Sequence, residues 1–180
     1  MSAHGLALNA WALAAPPSRW AILETLPATT TDGAGSIQIR PFLRRHLERV
    51  LTIENACFPH EAYPRELFLE LYQDCARSFF VARRGRRIVG YSVASAVEGQ
   101  AEIVSIAVLP EHRRGGVATA LLRHTISRLR RARVRCVTLM VRTDNLPAIR
   151  FYRRLGFRGA GRIVRYYEDG ADGLLMRKRL

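Results

Sequence analysis

Lysine is almost missing from this chain. Of its 29 basic residues, 28 are arginine and Lys178 is the exception. Acidic residues thin out just as sharply. Residues 1–112 carry 11 basic and 11 acidic side chains, residues 113–180 carry 18 and 4, so the whole net charge of +14 lies from residue 113 onward. The arginine bias, together with the many alanines, is what a GC-rich coding sequence produces. The lopsided charge is also what a polyanionic ligand or partner is drawn to, and direct contact with nucleic acid stays open on this ground. Cysteine is scarce, and Cys57, Cys75 and Cys136 are odd in number and lack ligand spacing. That argues against a disulfide framework and a metal site, and for free thiols in a reducing compartment. No run of 18 apolar residues occurs, so no membrane span is expected. No Lys or Arg precedes Arg19, whereas a secretory signal needs a positive start; a cytoplasmic location is the expectation. Two familiar phosphate loops are missing as well. There is no Lys-Ser/Thr ending of a P-loop and no three-glycine spacing of a dinucleotide fold.

What is present is Arg113-Arg114-Gly115-Gly116-Val117-Ala118. An alternating run, Ala101 to Leu109, precedes it, and an amphipathic segment, Thr119 to Arg131, follows. Strand, glycine turn and helix start in that order suit an anion. Glycine lets the backbone come close and aim its N–H groups, and the helix N-terminus adds its positive end.

The chain is long enough for one domain with a sizeable core. Residues 1–36 show no periodicity and contain Pro16-Pro17 and a Thr/Gly/Ala/Ser-rich stretch, which reads as a flexible N-terminal extension. From Ile37 the pattern is regular. A short strand at Ile37–Arg40 leads into a helix carrying Leu43, Leu47, Val50, Leu51 and Glu54 on one face, which Phe58-Pro59 breaks. A second helix follows Pro64. Three strands, Ser78–Ala82, Ile88–Val97 and Ala101–Leu109, turn at Gly85 and Gly99 as a meander. After the loop helix come a strand over Val134–Val141, a helix capped by Asp144 or Asn145 and ending at Leu155-Gly156, and a hairpin of Ile163–Tyr167 with Gly173–Arg179.

The fit of Arg113, Gly116 and Ala118 to Arg/Gln-x-x-Gly-x-Gly/Ala resembles the pyrophosphate signature of the GNAT superfamily of acyl-CoA N-acyltransferases. The element order, β-α-α-β-β-β-α-β-α-β-β, is that of the GNAT fold. The expectation is therefore α/β, a mixed, mostly antiparallel sheet flanked by helices, with an acetyltransferase domain over residues 37–180. Asn145 to Phe157 resembles a second GNAT stretch, Asn-x-x-Ala-x-x-x-Tyr followed by Leu-Gly-Phe. The resemblance implies acetyl-CoA as cofactor, bound by Ile106, Ala107 and Val108, by Arg113, Arg114, Gly115, Gly116, Val117 and Ala118, and by Asn145, Ala148 and Tyr152. It also makes the Val108 N–H the group that polarises the thioester carbonyl. Tyr152 becomes the acid beside the sulfur. Taken without the loop, Asn145 is a helix cap and Tyr152 a core aromatic.

The ribosomal-protein alanine branch of the superfamily carries a glutamate where this chain has Met140, so that base is absent. Glu102 is the substitute candidate. Its offset from Arg113 resembles that of the base in histone-acetylating members. Alternation puts it on one face with Val104, Ile106 and Val108, and burial there would raise its pKa toward the useful range. An ordinary strand-end charge is the other reading. Phe58, Pro59 and Tyr63, in a Phe-Pro loop, and Tyr166 with Tyr167, on the last hairpin, resemble the acceptor slot of protein N-terminal acetyltransferases. The expected partner is then a peptide or protein N-terminus, those of ribosomal proteins included. A small-molecule amine, or a basic nucleic-acid or ribosome-binding module without catalysis, are the rival readings. His60 reads as a surface loop residue.

Overall fold

The computed structural model describes Arg19–Trp20 and residues 36–180. Eight strands and four helices follow one another in the described chain: β1 (Arg19–Trp20), β2 (Ile37–Pro41), α1 (Leu47–Cys57), α2 (Arg65–Cys75), β3 (Phe79–Arg84), β4 (Arg87–Val97), β5 (Gln100–Val108), α3 (Val117–Arg131), β6 (Cys136–Arg142), α4 (Leu146–Arg154), β7 (Arg158–Ile163) and β8 (Gly173–Arg179). The sheet runs β2-β3-β4-β5-β6-β8-β7, and β1 pairs with β5 off that path.

Each helix forms where apolar residues recur at helical spacing. α3 buries Val117, Leu121, Leu122, Thr125, Ile126 and Leu129 while its arginines stay outside. Two cores result, one on each face of the sheet. α3 and α4 cover one with Leu121, Ile126, Ile149 and Tyr152, against Phe80, Val89 and Ile103 of the strands. α1 and α2 cover the other with Val50, Ile53, Phe68 and Leu71, against Val81, Tyr91 and Val93. Such burial is worth about 1.5–3 kcal/mol per large apolar side chain.

The expected extension over residues 1–36 lies outside the described residues, except for Ser36 and for Arg19–Trp20, which form β1. Two expectations need correction. The last hairpin begins earlier than alternation suggests. β7 is Arg158–Ile163, so Tyr166 and Tyr167 lie in the connecting loop. Gly159 and Gly161 conceal the strand in the sequence, since glycine carries no strand signature. The second concerns Glu102. In β5, Ser105 pairs with Val93 and Ile103 with Ala94, so Val104 is an extra, bulged residue. A bulge flips the facing of every residue beyond it. Glu102 therefore shares a face with Val104 but not with Ile106 and Val108, which turn to the α3–α4 core.

Candidate active site

The site is a fork in the sheet. β5 and β6 run parallel and pair only at Gln100, Ala101 and Glu102, with Cys136, Val137 and Thr138. Beyond Glu102 they part, because β6 continues in full register with β8 while β5 stays with β4 to Val108. The Leu109 N–H bonds the Val89 carbonyl at 3.0 Å. In an antiparallel ladder, alternate residues point their polar groups to opposite edges. The N–H groups of Ile106 and Val108 thus face the open side. β1 shows that this edge accepts an extended chain: Arg19 and Trp20 lie parallel to β5 opposite Ser105 and Ile106, and against β6.

Past β5 the chain makes the glycine turn. Arg114 (φ 58°) and Gly116 (φ 80°) are left-handed, and Gly116 is the N-cap of α3. That cap has no side-chain hydrogen bond and the first turn holds no acidic residue. The leading N–H groups at Val117 and Ala118 are therefore left for an anion. Arg84 joins them, a residue the sequence gave no reason to place here. Its Nη2 donates to the Gly115 carbonyl at 3.1 Å, and its Nε is buried without a partner. Arg113 is oriented otherwise than its motif position suggests. Its Nε donates to the Val108 carbonyl at 3.1 Å and its Nη2 reaches Cys57 Sγ at 3.8 Å, so the guanidinium ties the end of β5 to α1.

Across the fork, α4 starts at Asn145. The Asn145 Oδ1 accepts the Ala148 N–H at 3.0 Å, and its Nδ2 is buried with no partner. The residue is both a cap and an unused donor. Two turns on, Tyr152 is 2% exposed, packed edge-on between Phe151 and Phe157. Burial, and secondarily Tyr167, hold its hydroxyl well above the usual tyrosine range, so it keeps its proton.

The other wall is a loop closed by Glu54, which the sequence showed only as a helix-face residue. Glu54 is fully buried. Its carbonyl accepts the Phe58 N–H at 2.8 Å and its Oε1 the Tyr63 N–H at 2.9 Å, so one residue holds both ends of the Phe58–Tyr63 loop. Its other oxygen takes the Tyr91 hydroxyl, which also meets Ser105 Oγ at 2.8 Å. Phe58 and Tyr63 are themselves buried core residues, and Pro59 is exposed. Glu54→Ala takes the acceptor from the buried Tyr63 N–H and one of two partners from the Tyr91 hydroxyl, at about 1–3 kcal/mol for each lost bond. A loss of about 3 kcal/mol, read as a Tm lowered by roughly 6–12 °C, is the expected result in a thermal melt. An unchanged Tm would show that the loop does not depend on this carboxylate.

Tyr167 joins the two walls. It interacts electrostatically with Tyr152 on one side and with Glu61 and Tyr63 on the other. Burial pushes its hydroxyl far up, with Tyr166 adding to the shift. Its ring meets Tyr166 edge-on at 5.1 Å and lies 5.1 Å under the Arg142 guanidinium, a cation–π contact. Arg142 in turn pairs with Asp169 at 2.8 Å, which pins the loop carrying both tyrosines. Met140 fills the space beside them. A Cβ at Gly173 would stand 2.7 Å from Met140 Sδ and 3.0 Å from the Tyr166 ring. Glu102 sits half-buried at the base of the fork, opposite Ser95 and Thr138. Among the described residues no group of His, Cys, Asp and Glu is arranged to hold a metal ion, and no helix is long and apolar enough to cross a membrane.

Residues 47–157 match the sequence pattern of the acetyltransferase (GNAT) family. The chain is 38% identical over 143 residues to an uncharacterized N-acetyltransferase of Methanocaldococcus jannaschii, spanning 78% of this chain and 90% of that protein. It is 33% identical over 143 residues to the N-alpha-acetyltransferase of Sulfurisphaera tokodaii, spanning 72% and 85%. Its fold is similar to the crystal structure of the ribosomal-protein-S18-alanine N-acetyltransferase of Escherichia coli, with a TM-score of 0.74 and 26% identity over 80% of this chain and 94% of that one.

Proposed function

The chain belongs to the acetyltransferase (GNAT) family, and on that premise we propose that it acetylates the α-amine of a protein or peptide N-terminus. Acetyl-CoA is the donor, and when bound it supplies an acetyl thioester, an acyl group already activated toward amines. The residues present suit such a group. The uncapped start of α3 and the Arg84 side chain offer donors and charge for the diphosphate. The orphaned Asn145 Nδ2 and the fork-facing N–H groups of Ile106 and Val108 offer donors for an amide-bearing arm. Placing an arm on that edge requires Arg19–Trp20 to leave β5.

One observation carries the acceptor reading. Tyr167, buried under Arg142 on the loop that Asp169 pins, stands within electrostatic range of Tyr152 and of the Glu61–Tyr63 loop, which supports a slot beside the proposed acid. The Val108 N–H would hold the carbonyl oxygen, Tyr152 would give its proton to the leaving sulfur, and Tyr166 would line the acceptor entrance. Glu102, through water, would draw the proton from the amine. Met140 fits an α-amine better than a lysine side chain. An α-amine has a pKa of about 7.7–8.0 and is partly neutral at pH 7.5, whereas lysine at about 10.4 is almost wholly protonated. The demand on a base is correspondingly small. N-termini of ribosomal proteins fall within this class.

The decisive experiment offers free-amine peptides, N-blocked peptides bearing one lysine, and small amines with acetyl-CoA, read by mass spectrometry. Acetylation of the free-amine peptides is expected. Turnover confined to small amines would replace the acceptor assignment. For the base, Glu102→Gln keeps the shape and removes the proton acceptor. Its kcat/KM is expected to fall by up to about tenfold at pH 7, where roughly a tenth of an α-amine is neutral. The deficit should close toward pH 9, where the α-amine is already neutral. A pH–rate profile that matches the parent's would remove Glu102 from the proposed chemistry.

A further inference from the structure

We propose that the face formed by the C-terminal half of α3, the end of α4 and the β7–β8 edge binds the phosphate backbone of a duplex nucleic acid. Two cavities adjoin there at Gly156. One, of about 630 Å³, is lined by Arg123, Arg130, Arg131, Arg154 and Lys178. The other, of about 460 Å³, is lined by Arg158, Arg177 and Arg179. Neither has a carboxylate in its wall. The side chains of the seven arginines are exposed and make no ion pair or hydrogen bond among the described residues. Lys178 alone is engaged, donating from Nζ to the Leu155 carbonyl at 2.7 Å.

Arginine-rich composition does not account for this face. Coding bias would spread cations without regard to acids, and residues 1–112 are balanced at 11 of each. After residue 112 the four carboxylates all fall within 144–172. Asp144 and Asp169 pair with Arg142 and Asp172 with Arg162, so three of the four are committed around the loop that carries the tyrosines. Nor does the donor account for it. The glycine turn is at the start of α3, and Arg131 lies roughly 20 Å along the axis at 1.5 Å per residue.

The lining also discriminates among polyanions. It holds no aromatic residue. Single-stranded nucleic acid is held by stacking its bases on aromatics, and protein partners are anchored by aromatic and apolar groups at the centre of the interface. A duplex backbone needs neither; a row of cations positions it without reading its sequence. RNA and DNA duplexes share that chemistry.

The test is fluorescence anisotropy of the full chain with labelled duplex RNA and duplex DNA of one sequence, at saturating acetyl-CoA. Binding in the micromolar range at physiological salt is expected, with a log–log salt slope of about −4 or steeper if half the cations reach phosphates. The triple variant Arg130→Glu, Arg154→Glu, Arg177→Glu should lose at least about tenfold in affinity, and its slope should flatten by nearly three. These side chains are exposed and outside the proposed transfer machinery, so acetylation of a free-amine peptide should be unchanged. RNA favoured over DNA would point to A-form geometry as the feature read; equal binding would point to the backbone alone. Three results overturn the proposal: no binding by the parent chain, a triple variant that binds like the parent, or polyglutamate that competes as well as duplex at equal charge. Loss of binding on adding acetyl-CoA would move the phosphate contact to the glycine turn and overturn it too.

Discussion

Tyr152→Phe is expected to cut turnover by roughly 100- to 10,000-fold, the range a positioned general acid supplies, while acetyl-CoA affinity holds within about twofold by calorimetry. The split follows from where the hydroxyl sits. The ring is 2% exposed and packs between Phe151 and Phe157, contacts that phenylalanine keeps. Only the hydroxyl is lost. Burial and Tyr167 keep its proton on the oxygen well above the ordinary tyrosine range. A group whose pKa is raised stays a donor as pH rises, so the parent should show no loss of rate attributable to Tyr152 through neutral and mildly alkaline pH. If Tyr152→Phe turns over within about twofold of the parent, far inside that range, Tyr152 is a packing residue. If turnover and affinity fall together, the change has disturbed the slot rather than removed an acid.

The fold, the glycine turn and the helix cap beside the fork were legible because local rules decide them. The Gly116 turn, the Asn145 cap and the amphipathic run of α3 are written in adjacent residues, and from β2 to β6 and at α4 and β8 the elements stand within a few positions of where periodicity puts them. What escaped the sequence depends on register or on burial between distant segments. The bulge at Val104 reverses the facing of half of β5 and leaves no mark in the residues, since Ile103-Val104-Ser105 alternates no worse than its neighbours. Glu54 reads as a polar residue on an apolar face until Tyr63 and Tyr91, 9 and 37 positions away, are seen to close on it. Arg84 is an ordinary strand-end arginine until folding sets it against Gly115. The Arg113 motif matched, yet its side chain supports β5 and α1. A motif reports which residues surround a ligand, not which atoms face it.

Gly116→Asp should separate folding from donor binding. The residue has φ 80°, a conformation that glycine tolerates best and aspartate or asparagine next best, at roughly 1–2 kcal/mol. Space is no obstacle, because a Cβ there meets nothing nearer than Ile37 Cδ1 at 3.9 Å. A carboxylate at the start of α3 also interacts favourably with the helix dipole, by about 0.3–1 kcal/mol. The dipole offsets part of the strain, so a thermal melt should show Tm lowered by only a few degrees, about 2–4 °C per kcal/mol left over. Affinity for acetyl-CoA should behave otherwise. Two like charges about 4 Å apart near a protein surface repel by about 4 kcal/mol, and 1.4 kcal/mol is tenfold in Kd. Screening leaves an expected weakening of about 100-fold or more, eased by added salt. Gly116→Ala carries the strain without the charge and should weaken binding far less. The pair of variants thus distinguishes a phosphate site from a merely tight turn: equal losses in both would mean that the conformation of residue 116 matters and its charge does not. Calorimetry that finds the aspartate variant binding acetyl-CoA like the parent would place the diphosphate elsewhere than at the start of α3.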